Sequence, residues 1–183
     1  DASPRALTEK ILERPRVIER IRHWIGDPNR AYMTCFTTSP LERSLAVQLG
    51  IPLNGADPDL LDLGSKSGSR EAFRTAGIEL PIGTENLRTV AAAVAALDAL
   101  KLQKPALRRA VVKLNAGFSG EGNALFKYPD PMPVGEAARH AAIRGAFDTL
   151  KFTAPDHSKD GFFEKFEEMG GVVEEFLEAD EVH

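Results

Sequence analysis

Apolar residues recur along the chain at spacings that switch between helix and strand. Ile18, Ile21 and Ile25 fall at helical spacing with arginine and glutamate between them. They sit inside a helical pattern over 5–25 that Pro15 divides, because proline lacks the N–H a helix interior needs. Gly26-Asp27-Pro28-Asn29 stops that pattern, and 32–36 reads as a short strand of β-prone residues. Ser39-Pro40-Leu41-Glu42 is a capping box with proline at the first helical position. Leu41, Leu45 and Leu49 give the helix one apolar face, Gly50 ends it, and Ile51-Pro52-Leu53 is extended. Strand, helix and extended segment together predict an α/β unit.

A long connection over 54–67 leads to a short helix over 69–76, closed by Gly77, and an extended piece over 78–82. Thr89 caps a helix over 90–102 with Val90, Val94 and Leu97 on one side. A strand over 110–114, a glycine-rich turn and a returning strand over 123–127 follow. Pro129, Pro131 and Pro133 introduce a helix with Arg139, Ile143, Phe147 and Leu150 on one face. Phe162, Phe163, Phe166 and Met169 mark a second helix, which Gly170-Gly171 breaks before a final strand over 172–177. The order after Arg109, β-β-α-α-β, predicts an antiparallel sheet with helices on one face, and hence an α/β (α+β) fold for the chain.

Composition narrows the class. With 183 residues, 43% hydrophobic and 27% charged, the chain is globular rather than disordered. Its 23 basic against 27 acidic residues give a net charge of −4, which argues against a nucleic-acid partner. No stretch approaches the roughly 18 apolar residues of a membrane span, so no membrane partner is expected. The single cysteine, Cys35, has no internal partner, which fits a reducing, cytoplasmic compartment; in an apolar strand it reads as core. Trp24 beside Ile21 and Ile25 reads as packing. His23, His140, His157 and His183 show no metal-ligand spacing, and no nucleophilic triad is arguable. The first residue is Asp1 rather than methionine, which suggests a processed or trimmed chain.

Three segments carry candidate chemistry. Lys113 precedes Gly117, Phe118, Ser119, Gly120, Glu121 and Gly122. Glycines let backbone N–H groups line a concavity, and a lysine just before it reaches a phosphate as a point charge. The same residues also suit an ordinary hairpin tip with an edge lysine. The segment 63–70 carries Lys66 and Arg70 among small residues and opens a helix, whose N-terminus favours anions; it also suits a solvated, serine-capped loop. Val172-Val173-Glu174-Glu175-Phe176-Leu177 alternates apolar and acidic residues, as a half-buried strand does; a ligand role requires its backbone to face a cleft.

Taken in order, Lys66 before a short helix, Ala76-Gly77-Ile78-Glu79-Leu80-Pro81, Val111-Val112-Lys113 with its glycine loop, and Val173 to Leu177 resemble the ATP-grasp superfamily. "LGSKSGSREAFRTAGIELP" and "RRAVVKLNAGFSGEGNALF" resemble its carboxylate–amine ligases of the pheganomycin peptide-ligase type, and "SPLERSLAVQLGIPLNG" the end of their Rossmann-like pre-ATP-grasp domain. The resemblance implies three parts: 1–63 from the pre-ATP-grasp-like domain, 64–108 opening the ATP-grasp A subdomain, and 109–183 forming the B subdomain with its hinge strand.

It also implies roles. Lys66 would contact ATP phosphates and Lys113 the α- and β-phosphates, with residues 117–122 closing over them as a lid. Glu174, Glu175, Phe176 and Leu177 would hold adenine, and Glu181 or Asp180 the ribose. The implied activity is an ADP-forming ligation of a small-molecule carboxylate to an amine, such as amino acids or peptides, with ATP and Mg²⁺. The metal ligands of the family follow the hinge, so the resemblance implies a chain inactive alone, with its metal site beyond His183. A non-catalytic nucleotide-binding or interaction module is the competing expectation.

Overall fold

The computed structural model describes residues 2–3, 5–117, 122–153 and 158–178. The chain divides into two compact units, Asp1–Asp62 and Leu63–His183.

In the first unit, Pro15 separates helices α1 (Leu7–Leu12) and α2 (Pro15–Ile25). The helix α3 (Pro40–Leu49) carries the expected capping box, with the Ser39 side chain accepting from the Leu41 N–H and Glu42 reaching back to the Ser39 N–H. It connects two very short parallel strands, β1 (Met33–Thr34) and β2 (Leu53–Asn54). Ile18, Leu45 and Leu49 form the core, with Ile11, Leu12, Ile21, Ile25, Met33 and Ile51 against it. Trp24 departs from its sequence reading: it is 71% exposed, and the Arg20 guanidinium lies 5.2 Å from its ring centroid. Cys35 is only partly buried; desolvation, then the Glu42 carboxylate, pushes its thiol pKa up.

The second unit is a five-stranded antiparallel sheet of β3 (Gly83–Leu87), β4 (Arg109–Leu114), β5 (Asn123–Lys127), β6 (Lys151–Phe152) and β7 (Gly171–Glu175), in the spatial order β3-β7-β4-β5-β6. Helices α5 (Val90–Gln103), α6 (Glu136–Ala146) and α7 (Lys159–Met169) cover one face. Their apolar sides enclose Ala110, Val112, Leu114, Ala124, Phe126 and Val173. Phe126, Tyr128, Phe147 and Phe163 form a chain of ring contacts, with centroids 4.9 to 5.8 Å apart. The remaining helix, α4 (Lys66–Thr75), lies against β3 and β7 on the other face. No helix among the described residues is long and apolar enough to cross a membrane.

Several elements differ from the sequence reading. Helix α4 starts at Lys66 rather than 69, because the Ser65 side chain caps it by accepting from the Gly68 N–H. The extended segment lies at Gly83–Leu87 rather than 78–82. A two-residue strand, β6, interrupts the expected β-β-α-α-β order. The helix expected to run through Phe147 and Leu150 ends at Ala146 in a 3-10 turn over Phe147–Thr149. The last strand stops at Glu175, leaving Leu177 exposed.

Candidate functional site

Strand register sorts the side chains of the second unit. Directly opposed residues share a face of a sheet. Val111 is opposite Glu174, and Lys113 opposite both Val172 and Asn123, so these residues stand on the α4 side. Gly83 of β3 also faces Glu174. A Cβ at Gly83 would sit 2.3 Å from the Val173 carbonyl oxygen and 2.8 Å from the Glu174 Cα, so only glycine allows this approach.

Both acidic residues of β7 are buried, where a half-buried strand with an acidic solvent face was expected. Each is compensated by cations from distant parts of the chain. Glu174 accepts from Arg70 of α4 at 2.9 Å through Oε2 and from Lys113 of β4 through Oε1. Glu175 points to the opposite face, where it accepts from the Ile82 backbone N–H at 2.8 Å and pairs with Lys104. The Lys104 hydrogen bond, then that backbone N–H, lowers the Glu175 pKa against the opposing cost of burial. On the Glu174 side, Arg70 also donates to Glu85 at 3.2 Å, and Glu85 pairs with Arg74. Burial acts to raise the Glu85 pKa, but its hydrogen bonds to Arg74 and Arg70 leave it lowered overall.

Lys66 opens α4 and faces the same cluster. Its ammonium is half-buried and has no hydrogen-bond or ion-pair partner among the described residues. Burial lowers its pKa, the Lys113 charge lowers it further, and Glu174 acts in the opposite direction. Arg70 and Arg74 are thus matched by Glu85 and Glu174, and Lys66 and Lys113 share Glu174 near the start of α4.

Asn115, two residues beyond Lys113, fastens this helix start to β4. Its backbone carbonyl accepts from the Lys66 N–H at 3.1 Å. Its Oδ1 accepts from the Ser67 N–H at 3.1 Å and the Ser67 hydroxyl at 2.7 Å, while its Nδ2 donates to the Met169 carbonyl at 3.1 Å. The Ser67 hydroxyl in turn accepts from the Asn86 N–H at 3.0 Å. Two lysines separated in sequence are thereby held on one side of the sheet.

Among the residues expected at the site, Lys66, Lys113 and Glu174 come together, and Gly117 and Gly122 bracket the loop after β4. Glu175 faces away from them. Phe176 continues the edge of β4 through its N–H to the Arg109 carbonyl, with the Arg109 guanidinium 4.3 Å from its ring centroid. Phe118, Ser119, Gly120, Glu121, Asp180 and Glu181 lie outside the described residues. Sequence reasoning missed Arg70 and Asn115 as parts of the site. Arg70 was visible only as one of two cations near a helix start, and nothing marked its partners.

The N–H groups of Lys66, Ser67 and Gly68 at this helix start are already taken by Asn115 and Ser65, which leaves the Lys66 ammonium, with Lys113 beside it, as the charge this face presents. A metal ion is not supported: no group of three or more histidine, cysteine, aspartate or glutamate side chains among the described residues could hold one. Glu85 and Glu174 are both committed to arginine or lysine.

No protein-family profile matches the chain. The chain is 31% identical over 179 residues to the L-propargylglycine–L-glutamate ligase of Streptantibioticus cattleyicolor, covering 95% of this chain and 35% of that protein. It thus spans about a third of the length of that relative. It is 32% identical over 111 residues to IQ motif-containing protein H of Danio rerio, covering 60% of this chain and 10% of that protein. The crystal structure of D-alanyl-alanine synthetase A from Vibrio cholerae superposes with a TM-score of 0.44 at 16% identity, over 75% of this chain and 33% of that one. Over 95% of its length the chain is thus similar to part of a ligase, in line with the resemblance of its motifs to the ATP-grasp carboxylate–amine ligases.

Proposed function

We propose that the second unit binds the phosphates of ATP, and that the whole protein is an ADP-forming ligase joining a small-molecule carboxylate to an amine. The observation that carries the nucleotide reading is the convergence of Lys66 and Lys113 around Glu174, with the Lys66 ammonium partly desolvated and unpaired. A desolvated cation is costly unless an anion meets it, and a phosphate chain supplies several anionic oxygens. The similarity to a ligase whose name pairs two amino acids supports the reaction class.

In that reaction a carboxylate oxygen attacks the γ-phosphorus of ATP and the bond to the β-phosphate oxygen breaks. This leaves an acyl phosphate and ADP. The amine then attacks the acyl carbon, phosphate departs and the amine loses a proton. Phosphoryl transfer asks the protein mainly for positioning and charge neutralisation. Lys113 and Lys66 would provide these at the phosphates, while Phe176 and Leu177 would be left to hold the base, since both Glu174 oxygens are taken by Arg70 and Lys113. Glycines 117 and 122 bracket the segment that would cover the phosphates. The magnesium ion such a reaction uses finds no ligand set among the described residues, and no step here depends on it.

A second reading is a nucleotide-binding or interaction module without catalysis. Two measurements on the full-length protein test these readings. A charge-assisted hydrogen bond is worth about 1.5–3 kcal/mol, so Lys113→Ala or Lys66→Ala should weaken ADP binding about ten-fold or more in a calorimetric titration. Unchanged affinity in both variants would refute the phosphate assignment. Phosphate release from ATP on addition of amino acid mixtures separates ligase from module: release that needs both a carboxylate and an amine supports the ligase, and nucleotide binding without release supports the module.

A further inference from the structure

Arg70 is the one buried cation among the described residues, at 6% exposure. Each of its three nitrogens has an acceptor: Nε donates to Glu85 at 3.2 Å, one terminal nitrogen to Glu174 Oε2 at 2.9 Å, and the other to the Pro81 carbonyl at 2.9 Å. These acceptors belong to three places in the chain: the segment before β3, β3 itself, and β7. Glu174 divides its two oxygens, Oε2 to Arg70 and Oε1 to Lys113. Arg70 also lies one helical turn beyond Lys66 on α4.

That arrangement does something a lone carboxylate could not. A glutamate paired with Lys113 alone could rotate and carry the lysine with it. Held on its other oxygen by a planar guanidinium that is itself fixed at three points, Glu174 has its carboxylate orientation set, and so presents Oε1 to Lys113 in one direction. The same guanidinium fixes α4, and with it Lys66, against β7. A lysine at position 70 could satisfy only a fraction of these acceptors, since an ammonium is a point charge without the flat fork.

We propose that Arg70 is a positioning residue for phosphate recognition, acting through Glu174 to hold Lys113 on the side of the sheet that Lys66 addresses. The proposal rests on the nucleotide reading above and assigns Arg70 no contact with the nucleotide.

The test uses full-length protein carrying Arg70→Met, Arg70→Lys, Glu174→Gln and the Arg70→Met/Glu174→Gln pair. ADP and adenosine are titrated into each, and the melting temperature is recorded. Wild-type protein should bind ADP more tightly than adenosine. Arg70→Met should weaken ADP about ten-fold while leaving adenosine within about two-fold, and Arg70→Lys should show a smaller loss of the same selectivity, because the charge is kept and the fork is lost. Residues acting through a common partner are non-additive, so adding Arg70→Met to Glu174→Gln should weaken ADP by less than about two-fold further.

Equal losses for ADP and adenosine, or a full additional loss on top of Glu174→Gln, would make Arg70 a plain structural clamp and overturn the proposal. If Arg70→Met does not fold, Arg70→Lys decides alone, and undiminished preference for ADP in it overturns the proposal. Wild-type protein that shows no preference for ADP over adenosine overturns the phosphate reading and this proposal together. Wild-type preference that survives in the Arg70 variants overturns the positioning role only.

Discussion

The two faces of the five-stranded sheet solve opposite problems with the same strands. On the face covered by α5, α6 and α7, β4 places Ala110, Val112 and Leu114, β5 places Ala124 and Phe126, and all are closed off from solvent. On the other face the same strands carry Val111, Lys113, Asn123 and Leu125, all only partly buried, beside the charged network of Glu174 and Arg70. The first face is stabilised by non-directional apolar burial and ring contacts. The second is organised by directional, charge-assisted bonds whose formation offsets the cost of desolvating the ions. A period of two residues is enough to keep these chemistries apart. The comparison teaches that apolar stabilisation and the placement of charge are separable in this unit, and three expected outcomes could break or sharpen that division.

The largest effect belongs to the dry face. Phe126 is fully buried and meets Tyr128 and Phe147 edge to face. Phe126→Ala should cost about 3–5 kcal/mol of unfolding free energy by denaturant titration, with ADP affinity of the folded protein unchanged. A selective loss of ADP binding at unaltered stability would break the division. The next effect lies where the faces communicate. Asn115→Ala removes the acceptor of Ser67 and the donor to Met169, and should cost about 1–3 kcal/mol while also weakening ADP, because the helix start that carries Lys66 loses its side-chain anchor at Ser67 and keeps only the backbone bond of Lys66 to residue 115. Loss of stability with full ADP affinity would show that the anchor serves the fold alone.

The smallest effect tests a polar pair near the dry face. Arg139 grips Asp98 at 2.6 and 2.8 Å, with His140 at 3.5 Å. The Arg139 hydrogen bond holds the Asp98 carboxyl below its ordinary value of 3.8, against the opposing effect of burial. A lowered folded value means the added stability is fully present above the unfolded value and is lost as pH falls through the folded one. Asp98→Asn should cost about 1 kcal/mol at neutral pH and flatten the decline of stability in acid, measured as melting temperature against pH. An unaltered acid profile would remove Asp98 from that account.

How much of this was legible depends on how far apart the interacting residues lie in the chain. The hairpin of β4 and β5, the Ser39 capping box and the phenylalanine side of α7 are local patterns, and the sequence displays them directly. Strand β3 is not local. Its residues Gly83, Thr84, Glu85 and Asn86 are mostly poor strand formers, Asn86 takes a φ of 60°, and the register with β7 shifts between Thr84 and Leu87. Only pairing with β7 makes it a strand. The burial of Glu174 was hidden for the same reason, since Arg70 and Lys113 lie 104 and 61 residues from it in sequence. Acidic residues beside valines in a strand do not by themselves distinguish a carboxylate facing water from one facing a distant arginine. The site lysines could be read as candidates from their neighbours, whereas the network that orients them could not.

Strand β7 has one more consequence, which concerns the order in which the protein is made. It is the last described strand to be synthesised, yet it occupies an inner position, hydrogen-bonded to β3 on one side and β4 on the other. While the chain emerges from the ribosome, β4 and β5 can close as a hairpin at once, but β3 must wait unpaired until the residues after Gly170 appear. Such long-range pairing is slow because loop-closure entropy is lost before any contact rewards it. Until then the nascent chain carries Lys66, Arg70 and Lys113 without the glutamate that organises them, and the charged cluster of this unit assembles only when β7 is inserted.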